Sequence, residues 1–324
     1  MTGDAASGEM IREAVAVLAR GGLVAFPTET VYGLGADASN ETAVRRIFSV
    51  KGRPADHPLI VHLARVEQLA DWALRVPEAA WRLADAFWPG PLTLVLPRAP
   101  QVLDVVTGGQ ESVGIRVPSH PVAQALLQAF GGGIAGPSAN RFGRVSPTTA
   151  EHVRAELGSE VDLVLEGGQS QVGIESTIVD LSSEWPALLR PGIIGAERIA
   201  AVLGTALNAP DRTSPRASGM LASHYAPRTP TRLVLPGRLE RELAAAATAR
   251  TGVLARRRPL PDRGNLVWVQ GADEVAAYAH DLYANLRALD GASCDRILVE
   301  AVPDDPAWDA VRDRLARATV PLPE

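Results

Sequence analysis

The sequence LVAFPTETVYGLG, at residues 23–35, joins a short apolar segment to a polar loop that contains two glycines. Residues 23–26 are apolar and stop at Pro27, which predicts a short buried strand that ends there. Three polar residues follow directly, before the glycines. Folds of the α/β class place ligands at the carboxyl ends of strands, so small hydroxyls at this position indicate a binding loop.

Predicted helices and strands alternate on both sides of this segment, which favours an α/β domain. We place this first domain at residues 1–204. Its helix at 40–51 starts with Asn40 as a cap and ends before Gly52 and Pro54. The other predicted helices are 10–20, one opened by Pro77 with Trp81, Ala84 and Phe87 or Trp88 facing inward, 121–130, 148–157 and 196–203. The other predicted strands are 92–96, 113–117, 161–165, 177–181 and 187–190.

The character of the chain changes at residues 205–230, which are rich in Pro, Ser, Thr and Arg and lack periodicity. This composition predicts a linker. Alternation resumes beyond it and predicts a second, smaller, Rossmann-like α/β domain at residues 231–324. Its predicted strands are 231–235, 252–255, 265–269 and 296–300, and its predicted helices are 238–249, 273–289 and 306–317.

Composition excludes several classes of protein. The 324 residues carry a net charge of −5, which argues against a nonspecific nucleic-acid binder, although a local basic cleft could make a weak contact with RNA. Cys294 is the single cysteine, so an intrachain disulfide or a cysteine-based metal site is excluded. The histidines show no metal-ligand spacing, and we expect no metal site on the protein.

The sequence contains no signal-peptide pattern and no apolar run long enough to span a membrane, so we expect a cytoplasmic protein without membrane contact.

Lys51 is the only lysine in the sequence; the other 31 of the 32 basic residues are arginines. It lies in the run Lys51-Gly52-Arg53-Pro54, just after a predicted helix. If Pro54 holds this run extended, both cations point the same way and suit a polyphosphate. The alternative is a solvated helix end, where cations are stabilised by the helix dipole.

The sequence argues against two common nucleotide-binding motifs. The run GLGADA at residues 33–38 fits a dinucleotide fingerprint only formally, because its glycines come too late after the strand. The chain also contains no GxxxxGK[ST] phosphate loop.

Polar residues within apolar or turn segments supply further site candidates, each with a structural alternative. Ser138 and Asn140 could bind phosphate or ribose oxygens, or only hydrogen-bond their own turn. Arg116, in an apolar strand, needs a partner, which could be a ligand carboxylate or an internal acid. On spacing alone, His62 fits a satisfied core histidine somewhat better than a ligand contact. Ser176 could bind a ligand or begin a strand.

Taken together, these segments resemble the YrdC-like family of L-threonylcarbamoyladenylate synthases, in its long, two-domain form. The resemblance covers about residues 10–200, and the linker run HYAP at 224–227 with the second domain matches the long form. The matching segments, in order, are FPTETVYGL at 26–34, KGRP at 51–54, Pro58-Leu59 with His62, WPGPLT at 88–93, RVP at 116–118, SAN at 138–140 and SPT at 146–148.

The resemblance implies an open, twisted α/β fold with a concave basic cleft. It implies that L-threonine, bicarbonate and ATP give threonylcarbamoyl-AMP and pyrophosphate, which makes the enzyme a nucleotidyltransferase. Mg²⁺ is expected to be carried on the ATP phosphates. The product is expected to supply the t6A modification at position 37 of tRNAs that read ANN codons, by transfer to a TsaD-type complex.

The resemblance also assigns roles to residues. Lys51 and Arg53 are expected to be catalytic, by neutralising phosphate charge, and Tyr225 is expected to reach over the cleft from the linker as a lid. His57 stands where the family usually has Asn, and adds a group that titrates near neutral pH. The residues expected to bind threonine are Thr30, His62, Arg116, Gly136 and Ser176, with Arg116 on the carboxylate. The residues expected to surround ATP are Lys51, Arg53, His57, Ser112, Ser138, Asn140, Ser146, Arg190 and Tyr225.

Three other functions are the alternatives to this one, and composition excludes the second of them. An RNA-binding module would show salt-dependent affinity for RNA. A carbamoyl-transfer domain of the hydrogenase-maturation type would need cysteine-rich zinc fingers, which one cysteine excludes. A nucleotide sensor would bind ATP without releasing pyrophosphate in response to threonine and bicarbonate.

Overall fold

Two β-sheets organise the chain. The computed structural model of the chain describes residues 2–221, 223–245, 248–259 and 264–319. The first sheet is mixed and has nine strands, and the second is parallel and has four strands. Helices accompany both sheets, so the predicted α/β fold class is confirmed. The last residues of the predicted second domain, 320–324, and residues 246–247 of its helix predicted at 238–249 lie outside the described residues.

The first sheet runs across the strands in the order β7-β1-β2-β6-β3-β5-β4-β8-β9. Three of these strands, β2, β3 and β6, were not predicted. In chain order the strands are β1 (Val24–Phe26), β2 (Gly33–Asp37), β3 (Ile60–His62), β4 (Leu92–Pro97), β5 (Ser112–Arg116), β6 (Ile134–Ala135), β7 (Leu163–Val164), β8 (Thr177–Asp180) and β9 (Ala187–Arg190). The helices of this part are α1 (Thr2–Ala19), α2 (Glu41–Lys51), α3 (Leu69–Trp72), α4 (Glu78–Phe87), α5 (Asp104–Thr107), α6 (Pro121–Phe130), α7 (Ala150–Leu157) and α8 (Ala196–Leu203).

Strand β2 forms from the glycine-containing run that had been compared with a dinucleotide fingerprint. A Cβ at Gly33 would lie 3.1 Å from the Phe26 ring, and one at Gly35 would lie 2.8 Å from Ile134. The glycines therefore let β1, β2 and β6 pack closely, which is a known use of glycine within strands. They do not form a turn between a strand and a helix.

Helix α2 ends differently from the prediction for the KGRP run. Asn40 caps its start, accepting a hydrogen bond from the amide of Ala43 at 3.1 Å, as predicted. Lys51 is the last residue of the helix, and Gly52 adopts a left-handed φ of +62°. The inference that Lys51 and Arg53 share one extended segment is therefore wrong. Lys51 is helical and Gly52 is left-handed, so the two side chains do not follow the alternation of an extended segment.

The hydrophobic core of the first domain lies on both faces of the sheet. On one face α1 packs on α6 beneath β1 and β6. Helix α1 starts at Thr2 and not near residue 10, because a helix can extend beyond its apolar stripe. Helix α4 buries Ala80, Leu83 and Ala84, and Phe87 and Trp88 pack partly buried against the core. Of the residues predicted to face inward, only Trp81, which is 42% exposed, was wrong.

The second sheet has the order β10-β13-β11-β12 with all strands parallel. Its elements are β10 (Thr231–Val234), α9 (Leu239–Ala245), β11 (Thr251–Ala255), β12 (Leu266–Gln270), α10 (Val275–Asp290), β13 (Arg296–Glu300) and α11 (Asp309–Ala318). In the described part of residues 205–230 the backbone forms neither a helix nor a multi-residue strand. The domain boundaries themselves stay predictions.

The two parts share a buried apolar cluster. Val31, Val145 and Ile174 of the first part and Tyr225 of the linker pack with the second part's helices. Gly173, with φ +79°, allows this approach, since a Cβ there would lie 2.3 Å from the carbonyl oxygen of His280 on α10. Within the described residues, none of the helices combines the length and the hydropathy that crossing a membrane requires.

Candidate active site

A pocket of about 510 Å³, partly open to solvent, lies where β1, β3, β5, β8 and β9 meet the linker. It gathers segments that are far apart in sequence, including most of the residues predicted to bind threonine or ATP. Its lining is Thr28, Thr30, Val31, Gly33, Arg53, Ile60, His62, Arg116, Gly136, Pro137, Ser138, Glu175, Ser176, Arg190, Ser218, Gly219, His224 and Tyr225.

Arg116, at the end of β5, forms a buried ion pair inside this pocket. Its Nη2 lies 2.7 Å from Glu29 Oε1, and its Nη1 donates to Thr30 Oγ1 at 2.8 Å. Burial alone would raise the pKa of Glu29, but the Arg116 charge and its hydrogen bonds outweigh burial and lower it. The internal acid considered as an alternative is thus present, while Arg116 also lines the pocket. Glu29 holds the guanidinium in place beside the Thr30 hydroxyl.

His62, at the end of β3, faces Gly136 across the pocket. Its Nε2 lies 3.1 Å from the Gly136 carbonyl oxygen, and its ring packs edge-on against Phe26. Burial, reinforced by the Arg116 charge, lowers the pKa of His62 to about 3, so the ring is neutral at physiological pH. When Nε2 donates to Gly136, Nδ1 is the acceptor; within the described residues it is buried without a hydrogen-bond partner.

Ser176 lies directly before β8 and contacts the end of β9. Its hydroxyl lies 2.8 Å from Thr93 Oγ1 and accepts from Arg190 Nη2 at 3.1 Å. Arg190 Nε also donates to the Ser176 carbonyl oxygen at 3.0 Å. The two residues predicted to bind threonine and ATP, respectively, are therefore in direct contact.

Two buried guanidiniums converge on Ser218 of the linker. Arg53 Nη2 donates to Ser218 Oγ at 3.2 Å, and Arg190 Nη1 donates to the Ser218 carbonyl oxygen at 2.8 Å. Arg53 is 7% exposed and Arg190 is 3% exposed, and neither has a carboxylate within 4.0 Å among the described residues. Burial lowers the pKa of Arg53 to about 10, and the Arg190 charge acts in the same direction. These two cations therefore form a positively charged site that suits an anion.

Lys51 lies behind the pocket wall and does not line the cavity. Its Nζ donates to the carbonyl oxygens of Ser138 at 2.6 Å and Asn140 at 2.5 Å. Burial, followed by repulsion from Arg53, lowers the pKa of this ammonium well below its usual value. Lys51 thus holds the backbone of the Ser-Ala-Asn segment, and its catalytic role stays a prediction.

Four other residues predicted to surround ATP lie outside the pocket lining. Asn140 Nδ2 donates to the carbonyl oxygens of residues 141 and 144, which is the turn role considered as the alternative. Ser146 Oγ donates to Glu175 Oε1 at 2.6 Å. Ser112 lines an adjoining cavity of about 290 Å³, which also contacts Ser218. His57 is partly exposed and packs edge-on against Phe142.

The linker covers the pocket through two short segments, residues 218–219 and residues 224–225. Tyr225 is 1% exposed, with a left-handed φ of +62°, and its ring stacks on Tyr283 of α10 at 5.7 Å. His224 packs edge-on against the Tyr225 ring. Gly219 lies so close that a Cβ would be 2.1 Å from the Tyr225 hydroxyl oxygen.

Several pocket residues were not assigned from the sequence. Glu175 lines the pocket, and Glu29 pairs with Arg116 of the lining. Both stand next to predicted residues, in the runs IEST and TET, and their charge in apolar surroundings was the available signal. Ser218, Gly219 and His224 lie in the linker, where no periodicity of the sequence indicates which residues face the first domain. Among the described residues, no group of three or more His, Cys, Asp or Glu side chains could hold a metal ion.

Two family models match the chain. The Sua5/YciO/YrdC model, described as telomere recombination, matches residues 16–192. A second model, described as the C-terminal domain of threonylcarbamoyl-AMP synthase, matches residues 194–320.

Curated relatives and a solved structure match nearly the full length. The threonylcarbamoyl-AMP synthase of Pyrococcus abyssi is 40% identical over 326 residues, covering 95% of this chain and 94% of the relative. That of Bacillus subtilis is 40% identical and covers 95% of this chain and 92% of its own length. The crystal structure of P. abyssi Sua5 complexed with L-threonine superposes with a TM-score of 0.86 at 37% identity, covering 96% of both chains.

Proposed function

The chain belongs to the family of threonylcarbamoyl-AMP synthases, and we propose that it joins L-threonine, bicarbonate and ATP in the pocket of its first domain. The amine of threonine and bicarbonate give a carbamate and water. A carbamate oxygen then attacks the α-phosphorus of ATP, and the bond to pyrophosphate breaks. In this scheme the enzyme is a nucleotidyltransferase that acts by positioning its substrates and balancing phosphate charge.

The observation that carries this proposal is that the buried guanidiniums of Arg53 and Arg190 have no ion-pair partner among the described residues. Buried charges need a counter-charge, and none of the described carboxylates lies within 4.0 Å of either. A triphosphate supplies several negative oxygens, and guanidinium groups bind phosphate oxygens in pairs. Ser218, whose oxygens now accept from both arginines, occupies the position that we assign to phosphate oxygens.

We assign threonine to the region around Thr30, His62 and Gly136. The neutral His62 ring offers an unpaired acceptor nitrogen, Nδ1, to a hydroxyl or ammonium hydrogen. Arg116, already aligned by Glu29, is available to the carboxylate of the amino acid. Ser176 lies between this region and Arg190, so a carbamate formed there would be close to the proposed phosphate site.

The linker has to move for this pocket to fill. With Ser218, Gly219 and Tyr225 in place, the cavity of about 510 Å³ is partly open to solvent, and Ser218 occupies the donors of both arginines. We propose that the linker segments at 217–221 and 223–225 open to admit ATP and close again over it. Closure excludes water, which strengthens the electrostatic contacts within the site.

Mg²⁺ fits this site as part of the MgATP substrate. Glu175, which lines the pocket, and Glu29, which pairs with Arg116 of the lining, are both engaged by arginines, and the described residues contain no cluster of three acidic or histidine ligands. Mg²⁺ usually keeps its waters and binds through substrate phosphates. Its chemical contribution would be to neutralise phosphate charge.

We propose that the product serves tRNA modification. An acyl adenylate is an activated donor, and its threonylcarbamoyl group would pass to position 37 of ANN-decoding tRNAs through a TsaD-type complex. Direct RNA binding is the second candidate that the sequence left open, but the buried pocket with its pair of arginines favours a small anion over an RNA surface.

The experiment is a pyrophosphate-release assay in which ATP, L-threonine and bicarbonate are each omitted in turn. We expect release only when ATP, L-threonine and bicarbonate are all present, together with a product whose mass equals threonylcarbamoyl-AMP. L-serine in place of threonine tests selectivity. Release that continues without threonine or bicarbonate, or a product of another mass, would refute the proposal.

A further inference from the structure

Two helices of the second domain insert polar side chains into the wall of the first-domain pocket. Tyr283 on α10 and Arg314 on α11 are both 0% exposed. Both contact Glu175, which lines the pocket. The second domain therefore contributes directly to the surroundings of the proposed ATP site.

Arg314 binds the first domain through several donors. Its Nε donates to Glu175 Oε2 at 2.8 Å, and its Nη2 donates to the Glu175 carbonyl oxygen at 3.3 Å. Its Nη1 donates to the Pro191 carbonyl oxygen at 3.0 Å and to Asp313. A second hydrogen bond to Glu175 Oε2 comes from the Tyr283 hydroxyl at 2.9 Å. A planar guanidinium can make all of these contacts at once, whereas an ammonium cannot.

The charge of Arg314 keeps Glu175 ionised. Burial alone would raise the pKa of Glu175, but Arg314, then Arg190, and hydrogen bonds from Ser146 and Arg314 lower it to about 2. Among the described residues, Arg314 is the ion-pair partner of Glu175. A buried carboxylate that loses such a partner becomes protonated at a higher pH. The titratable or charged groups that face Glu175 are Arg314, Arg190, Tyr225, Tyr283 and His224.

The other side of this cluster faces the proposed ATP site. Glu175 Oε1 accepts from Ser146 Oγ at 2.6 Å, so the orientation of Ser146 depends on this carboxylate. The Tyr225 ring lies 5.3 Å from the Arg314 guanidinium and stacks on Tyr283. Ser146 and Tyr225, which belong to different segments, are thus held by the same second-domain residues.

We propose that Arg314 is a positioning residue for the ATP site. Arg314 orients Ser146 through Glu175, and it orients the Tyr225 lid through its contact with the Tyr225 ring. The proposal rests on the proposed function of the pocket. It assigns the second domain a part in the reaction: the second domain fixes the pocket-lining Glu175, and with it Ser146, and it fixes the linker's Tyr225 over the pocket.

The test is Arg314→Met in the full-length protein, with Arg312→Met as the matched control. Arg312 lies on the same helix, and its ion pairs with Asp304 and Asp309 stay within the second domain. For Arg314→Met we expect the KM for ATP to rise at least fivefold, while the Kd for threonine, measured by calorimetry, stays within threefold. Arg312→Met is expected to change neither constant. A smaller rise in the KM for ATP, or an equal rise in the threonine Kd, would overturn the proposal.

The pH profile separates positioning from a general loss of structure. In Arg314→Met, Glu175 takes up a proton as the pH falls below neutral, so kcat/KM for ATP should fall on the acid side where the unmodified protein is flat. The double variant Glu175→Gln, Arg314→Met lacks that titrating group and should lose the acid fall. Arg314→Lys keeps the charge and should retain a flat profile with an intermediate KM. Parallel profiles in all four proteins would overturn the proposal.

Gly173→Ala provides a second route if Arg314→Met does not fold. This substitution leaves Arg314 and every pocket side chain unchanged but inserts a Cβ against the backbone of α10 at His280. We expect the same selective rise in the KM for ATP; an unchanged KM for ATP would count against the proposal. If the unmodified protein releases no threonine-dependent pyrophosphate, the proposed function fails. If it does and the variants are unaffected, only this inference fails.

Discussion

At the scale of single residues, Lys51 shows why one lysine is present in a chain that otherwise uses arginine. Its ammonium fits between two carbonyl oxygens that belong to residues two apart, Ser138 and Asn140. A compact point charge can donate to both, while a planar guanidinium is larger and directs its donors into a fork. The lysine therefore shapes the loop that carries Ser138.

Lys51→Arg is the prediction that belongs to this residue. We expect pyrophosphate release to fall at least 100-fold although the charge is kept, because the larger group displaces the backbone of residues 138–140. Arg45→Lys, on the exposed side of the same helix, is the control and should keep full activity. If the Lys51→Arg variant keeps activity within threefold of the unmodified protein, charge alone matters at this position.

At the scale of elements, the linker acts through its backbone conformation as much as through its side chains. Gly219 has φ +83°, and Tyr225 adopts φ +62°, which is uncommon for a residue other than glycine. Such residues persist where the surrounding contacts fix them. Here Tyr225 is fixed by stacking on Tyr283, and Ser218 is fixed by two arginines. The linker is therefore held closed by contacts with both domains.

Gly219→Ala tests this closed arrangement. The added Cβ would meet the Tyr225 hydroxyl oxygen at 2.1 Å and Arg190 Nη1 at 3.1 Å, in a backbone conformation that alanine rarely adopts. We expect the rate of pyrophosphate release to fall at least tenfold, with a decrease of only a few degrees in Tm. Gly237→Ala, where no heavy atom lies within 4 Å of the added Cβ, serves as the control. Unchanged rates in the Gly219 variant would mean that closure around Tyr225 is not needed for catalysis.

At the scale of the whole molecule, the protein places its buried ion pairs at the pocket and at the contact between the domains. Glu29 pairs with Arg116 within the first domain, and Glu175 pairs with Arg314 across the two domains. Both carboxylates have lowered pKa values in the folded protein. A carboxylate of this kind stabilises the fold fully above its unfolded pKa, and the contribution is lost as the pH falls through its folded pKa.

Acid unfolding follows from this arrangement. The pKa of Glu175 falls from roughly 4.3 in an unfolded chain to about 2 in the folded protein. We expect its contribution to the free energy of unfolding to be constant above about pH 6 and to decrease by about 2 kcal/mol between about pH 5 and about pH 3. Urea unfolding at a series of pH values should show a smaller decrease for Glu175→Gln, Arg314→Met than for the unmodified protein. Parallel curves for the two proteins would contradict the assignment.

Local sequence was sufficient for the elements whose ends are set by caps and breakers. Helices α6 and α8 and strand β9 have the bounds that were predicted, and Asn40 caps α2 as expected. The motifs and their order along the chain were also sufficient to identify the family and to name many of the residues that line the pocket. Strand β2 was missed because its glycines are explained by side chains that pack against them from neighbouring strands, Phe26 of β1 and Ile134 of β6.

The sequence by itself determined the fold class, the family and the residue types of the pocket, because these depend on periodicity, turn residues and ordered motifs. Only the tertiary structure decided which groups meet. Lys51 faces carbonyl oxygens 87 and 89 residues away, and Arg314 reaches Glu175 across 139 residues. The physical reason is that a buried charge is stabilised by whatever lies within a few ångströms of it, and local sequence does not specify partners that distant parts of the chain supply.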